Sequence, residues 1–308
     1  MTALVPRIRR ERQTMADPAG RQDEPAGRSE PGRRGDDGWF AWGLMALGLA
    51  LAVNTLLGPL ATDTIGYPFS ETLRNQTVGL EAVSLLLVAP LCVAAGILSR
   101  CGHPAGQVLA LGPTAYTAYM FVQYIIGPGY VRYPRVLPFH VGLFILSVVV
   151  GLKAWTIVDE DALPAMSPSL ARRRSKIVVA LGAFVVLRYL PALVGAWTNE
   201  PIAREFTREP AMFWSILALD LGLVVPGAVA VAVNLYRSRS PSKGLYALVG
   251  WFALVPPSVT AMSVVMLAND DPSGSIGQVL VFGGATLAFW TFAFCLFRPL
   301  LSDRTRPR

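Results

Sequence analysis

Eight stretches of the chain, roughly 39–60, 78–99, 106–127, 136–157, 177–197, 212–236, 244–268 and 275–298, are apolar over about the twenty residues that cross a bilayer's hydrocarbon core as a helix. Once inside lipid, backbone N–H and C=O groups must pair within the segment, so a run of this kind admits essentially one local structure. The fold expected is therefore all-α: a polytopic transmembrane bundle of eight helices. It would span 38–300, between a polar N-terminal tail (1–37) and a short basic C-terminal tail (301–308). Charge agrees, at 15% of residues against roughly 25% in soluble domains.

The tail 1–37 holds 8 Arg and 7 Asp/Glu amid Pro and Gly, too little apolar surface to order itself. It also lacks the apolar core of a signal peptide. With the N-terminus inside, the cytoplasmic pieces hold 20 Lys/Arg and the outer loops 5. That asymmetry places both termini in the cytoplasm and the chain in the cell membrane, its main partner being the lipid bilayer. The net charge of +7 follows from the same bias, which removes the reason to invoke nucleic acid.

Cys92, Cys101 and Cys295 have no metal-like spacing, and a bis-His haem would need His103 and His140, which fall on opposite sides in this topology. No cofactor, metal or catalytic residue is expected. Neither is there a nucleophile motif or a Gly-rich phosphate loop.

Ionisable and polar side chains inside the spans are where function would show, because each resists hydrocarbon by about 2.5–3.5 kcal/mol when charged. In "VVLRYLPAL", Arg188 lies about 14 Å from the outer end of its helix at 1.5 Å per residue, and Asp220 in "SILALDLGLVVPG" about 12 Å below the same surface. Matching depth on consecutive helices predicts an Arg188–Asp220 pair. Glu81 is read as the first turn of the second helix, with Ser84 continuing its face. Tyr116, Tyr119 and Gln123 recur at spacings of three and four on one face of the third helix. Tyr124, Tyr130 and Tyr133 fit an interfacial aromatic belt, and His140 lies near the outer end of the fourth helix. Pro90, Pro113, Pro191, Pro226, Pro256 and Pro257 interrupt helices, most strongly in "LVPPSVTAM", where Ser258 and Thr260 can satisfy freed carbonyls.

Glu81, Tyr116, Tyr119, Gln123, His140, Arg188 and Asp220 thus form a candidate ligand-binding cluster in the outer half of the membrane. It would make the protein a binder or transporter of a small solute, an anionic one if Arg188 is its anchor. Two other readings stay open: a structural or sensory scaffold whose polar core only packs helices, and an intramembrane lipid-modifying enzyme with Glu81 or His140 as base. The second and sixth helices both carry an acid followed by a proline, but at different spacings, so a four-plus-four duplication also stays open.

The stretch "YPFSETLRNQTVGLEAVSLLLVAPL" followed by "LGPTAYTAYMFVQYIIGPGY" resembles a group of uncharacterised multi-pass prokaryotic membrane proteins. In these an acidic residue opens the second helix and the third is Tyr-rich. The resemblance covers roughly 66–150 and implies that Glu81, Tyr116, Tyr119 and Tyr124 belong to a shared pattern; it implies no activity.

Overall fold

The structure, a computed structural model, describes residues 38–238 and 242–302. The tail expected over 1–37 lies outside the described residues, as does the C-terminal tail from 303; Leu301 and Ser302 instead complete the last helix. Among the described residues there is no strand. Eight helices follow one another: α1 (Gly38–Leu57), α2 (Glu71–Arg100), α3 (Ala105–Ile126), α4 (Leu137–Ile157), α5 (Pro168–Thr198), α6 (Pro210–Ser238), α7 (Lys243–Ala268) and α8 (Ile276–Ser302).

Seven of the eight are long and apolar enough to cross a membrane; α3 is the exception. Its Thr114, Tyr116, Thr117, Gln123 and Tyr124 lower its hydropathy, and all five are buried against protein. A helix at the centre of a bundle meets neighbouring helices instead of lipid, so it can afford polar faces. The outer helices differ: Leu49, Leu86, Leu152, Leu187, Leu223 and Leu280 are exposed on their faces, as a lipid solvent requires. The chain is a multi-pass membrane protein.

Two helix starts differ from expectation. α2 begins at Glu71, two turns before its apolar run, because Ser70 caps it: Ser70 Oγ accepts the Leu73 N–H at 3.4 Å, so the polar "ETLRNQ" is helical. α5 begins at Pro168 behind Ser167, whose Oγ accepts the Leu170 N–H at 3.3 Å, and so takes Arg172, Arg173 and Arg174 into the helix.

Prolines act unequally. α3 and α5 run through Pro113 and Pro191. Ahead of Pro90 and Pro226, α2 and α6 widen into single π turns, Ser84–Val88 and Asp220–Val224. The wider turn accommodates a ring that would otherwise strike the carbonyl four residues back. α7 breaks at Ala253–Leu254, ahead of Pro256 and Pro257. The Ala253 carbonyl, which Pro257 leaves without its helical donor, is met instead by Trp290 Nε1 at 2.9 Å. Ser258 Oγ and Thr260 Oγ1 donate at 2.8 Å to the Leu254 and Pro256 carbonyls, which keep helical N–H donors, so the two hydroxyls do not meet freed carbonyls as expected.

The helices form two groups, α1–α4 and α5–α8, joined where α2 and α3 pack on α7 and α3 meets α6. The groups touch backbone to backbone at Gly112 and Gly250: a Cβ on Gly112 would lie 2.7 Å from the Gly250 carbonyl carbon. At the end of the bundle where α2 begins, loops are clamped by acids. Glu209 is buried and accepts from the Ser70 N–H at 2.6 Å and the Ser70 hydroxyl at 3.2 Å. Asp271 accepts from Thr72, Asn75 and the Ser273 N–H at 3.1, 3.0 and 2.9 Å.

Two predictions follow from this packing. Gly112→Ala should cost about 1–3 kcal/mol by overpacking and lower the melting temperature. Gly142→Ala, with no atom within 4 Å of the new Cβ and a better helix former in place, should not lower it. At Asp271, burial raises the carboxyl's pKa, but the donors from Ser273, Asn75 and Thr72 outweigh it and hold the group below its usual 3.8. A depressed folded value stabilises the clamp above 3.8 and loses that contribution as pH falls through the lower value. Melting curves between neutral and acid pH should therefore fall more steeply for wild type than for Asp271→Asn.

Candidate functional site

A cavity of about 160 Å³ lies inside the bundle between α2, α3, α5, α6, α7 and α8. Its volume is near that of a cavity known to hold benzene. Tyr116, Tyr119, Gln123, Arg188 and Asp220 all line it, so five of the seven candidate residues converge there. Its remaining wall is largely apolar and includes Met120, Met262 and Phe282.

α3 delivers its polar face by helical spacing alone. Tyr116 OH lies 2.8 Å from Ser258 Oγ, just past the break in α7, and Tyr119 OH donates to Asp220 Oδ1 at 2.7 Å. Asp220 opens the π turn of α6, and its second oxygen accepts from Tyr189 OH at 2.6 Å. Two phenols from two helices thus satisfy a buried carboxyl.

The expected Arg188–Asp220 ion pair does not form. Among the described residues the ion pair recorded joins Arg74 to Asp63 at 2.7 Å, on the surface. The physical reason lies one residue along α5. Tyr189 is buried toward α6 and occupies the oxygen that Arg188 would have taken. A step of 100° around the helix turns Arg188 out of that line. Its guanidinium instead lies 5.4 Å from the Tyr189 ring centroid and 5.5 Å from that of Phe282, while the residue stays exposed. Glu205, in the turn between α5 and α6, also lines the cavity. Burial holds its carboxyl's pKa above the usual value, against the opposing pull of the Arg188 charge.

Glu81 and His140 stand outside this lining, in a neighbouring cluster beside α1. Because α2 starts at Glu71, Glu81 is three turns into the helix, not in its first turn, and is 1% exposed. Its Oε2 accepts the Leu60 N–H at 3.0 Å, while its Oε1 has no hydrogen-bond partner. The carboxyl reaches the α1–α2 loop only because residue 58 is glycine; any Cβ there would collide with it. His140 Nε2 lies 3.0 Å from Asn54 Oδ1 and 3.3 Å from Tyr67 OH, and rings of Tyr67, Phe121 and Tyr124 surround it. Tyr124 is not a belt residue: it is buried, its hydroxyl has no partner, and it lines the cavity. Tyr133, by contrast, is 94% exposed.

Several contributors escaped sequence reasoning. Tyr189 adjoins Arg188, and its rank as second donor to Asp220 needed only the question of what else α5 offers there. Asn54 was visible as a lone amide in "LAVNTLL". Tyr67 and Gln278, in a loop and near a helix start, carried no signal. No group of three or more His, Cys, Asp or Glu side chains gathers to hold a metal ion among the described residues.

No family model, curated protein or solved structure matches the chain.

Removing either phenol should leave Asp220 short of a donor. Tyr119→Phe and Tyr189→Phe should each cost about 1–3 kcal/mol, more than Arg188→Ala, in thermal melts of the purified protein. An Arg188→Ala cost above both would restore the ion-pair account.

Proposed function

We propose that the protein binds, and in the cell membrane moves or senses, a small anionic solute in the α2–α8 cavity, with Arg188 as the anion's partner. The observation that carries this reading is the combination of a satisfied acid and an unsatisfied base. Asp220 already has a phenol on each oxygen, whereas Arg188 at the cavity wall has aromatic faces but no ion pair. A guanidinium inside a spanning helix is costly unless an anion or water meets it, and Glu205 and Asp220, though they line the same cavity, make no direct ion pair with Arg188.

The end at which α2 begins is taken as the external face, in line with the concentration of Lys and Arg at the opposite end. Both termini are then cytoplasmic. The Asn54–His140–Tyr67 cluster has no such vacancy around its imidazole and acts as packing.

The test is a thermal-shift screen of carboxylates, phosphates and sulfonates against the purified protein, since a ligand bound only to the folded state raises its melting temperature. At least one anion of benzene-like size should stabilise wild type and leave Arg188→Gln unmoved. Stabilisation by cations or neutral solutes alone would refute the assignment.

A further inference from the structure

The two halves of the bundle share one register. α1 crosses α2 at Gly48, whose added Cβ would meet Ala89, Val93 and Cys92, around Pro90; α5 crosses α6 at Gly182, whose Cβ would lie 3.5 Å from Ala228, two residues past Pro226. Both second helices open a π turn six residues before that proline, at Ser84 and Asp220. α3 and α7 carry Gly112 and Gly250 seven residues after Ala105 and Lys243, their first residues, and these glycines touch each other, as equivalent positions on a two-fold axis must. Near the starts of α4 and α8, His140-Val141 with Phe144 recurs as Gln278-Val279 with Phe282. The counterpart of Asp220 is Ser84, not Glu81, which is why the acid-to-proline spacings disagree. Parallel repeats about an axis along the membrane normal are one established plan of transporter folds.

Within this register Asn54, six residues past Gly48, corresponds to Arg188, six past Gly182, and His140 corresponds to Gln278. In the first half these residues shut a seam. α1 packs on α4, Gly43 presses on Val150, and Asn54 bonds His140. In the second half no comparable packing joins α5 to α8. Ile177 stands where α1 has Gly43, Arg188 is exposed, and Gln278 Oε1 is buried without a partner. Arg188 and Gln278 both line the cavity, and Phe282 of α8 lies under the guanidinium.

We infer that the α5–α8 seam is the doorway of the cavity, and that its ligand is an anionic amphiphile entering sideways from the bilayer. The headgroup sits between Arg188 and Gln278, and the chain stays in the seam against α5 and α8. The inference rests on the binding reading above and adds the ligand class and route. A cavity of about 160 Å³ holds a headgroup and a few carbons, so a longer chain must lie in the opening. On this reading the opening faces lipid, in keeping with Leu187 of α5 and Leu280 of α8, which are 63% and 70% exposed.

The test uses the full chain in phosphatidylcholine nanodiscs, with dodecanoate, butyrate and dodecanol as probes and protein melting as readout. Dodecanoate should stabilise wild type, butyrate and dodecanol far less. Arg188→Asn with Gln278→His, which transplants the closing pair of the first half, should weaken dodecanoate binding about ten-fold or more, the cost of losing a charge-assisted contact. Arg188→Lys, which keeps the charge, should retain most of the binding and shows that loss in the double variant is not misfolding. Butyrate binding as tightly as dodecanoate would overturn the lateral route while leaving an anion site intact. Equal binding of dodecanol would remove Arg188 as the anchor. If neither acid binds, both the route and the binding reading fall.

Discussion

The clasp of Tyr119 and Tyr189 on Asp220 is the contact on which the account depends. It ties α3, in the first half of the bundle, to α5 and α6 in the second, and it does so with neutral hydroxyl donors. A buried carboxyl satisfied in this way no longer requires a cation. Arg188, adjacent in sequence and close in space, is thereby released to the cavity wall and the α5–α8 seam. Had α5 carried a residue without a donor at 189, the guanidinium would have been the natural partner, and the cavity would have lost its one strongly basic side chain.

Much of the fold was legible because lipid narrows the choices. Eight apolar runs became eight helices, and the break at Pro256–Pro257 appeared where the prolines demanded it. What misled was polarity at helix starts. "ETLRNQ" and "ARRRSK" read as loop by hydropathy, yet Ser70 and Ser167 cap them into helix, which moved Glu81 from the first turn to the third. α3 shows the converse case. Its polarity put it below the threshold for a spanning helix, and the same polarity marks it as the helix shielded from lipid at the centre.

The site was half legible. Spacings of three and four brought Tyr116, Tyr119 and Gln123 together, and depth placed Arg188 and Asp220 at one level. Depth gives proximity but not angular position. One residue's turn around α5 decided which side chain met the carboxylate, and that step was invisible without the helix rotation that packing sets. Glu81 and His140 were grouped with the cavity on depth alone and belong instead to the cluster beside α1. The comparison of halves was hidden for a similar reason: matching acid to acid set Glu81 against Asp220, whereas the shared register sets Ser84 there.

The two halves therefore solve the same seam differently, one with Asn54 and His140 bonded across it, the other with Arg188 exposed and Gln278 Oε1 without a hydrogen-bond partner. The most direct measurement of that asymmetry is thiol accessibility in a background with Cys92, Cys101 and Cys295 replaced. Single variants Arg188→Cys and Asn54→Cys would be treated in nanodiscs with a small, negatively charged methanethiosulfonate. The account predicts prompt modification at position 188, slowed by a bound anion, and protection at position 54. Equal protection of both positions would show a dry, closed core on each side and would contradict it.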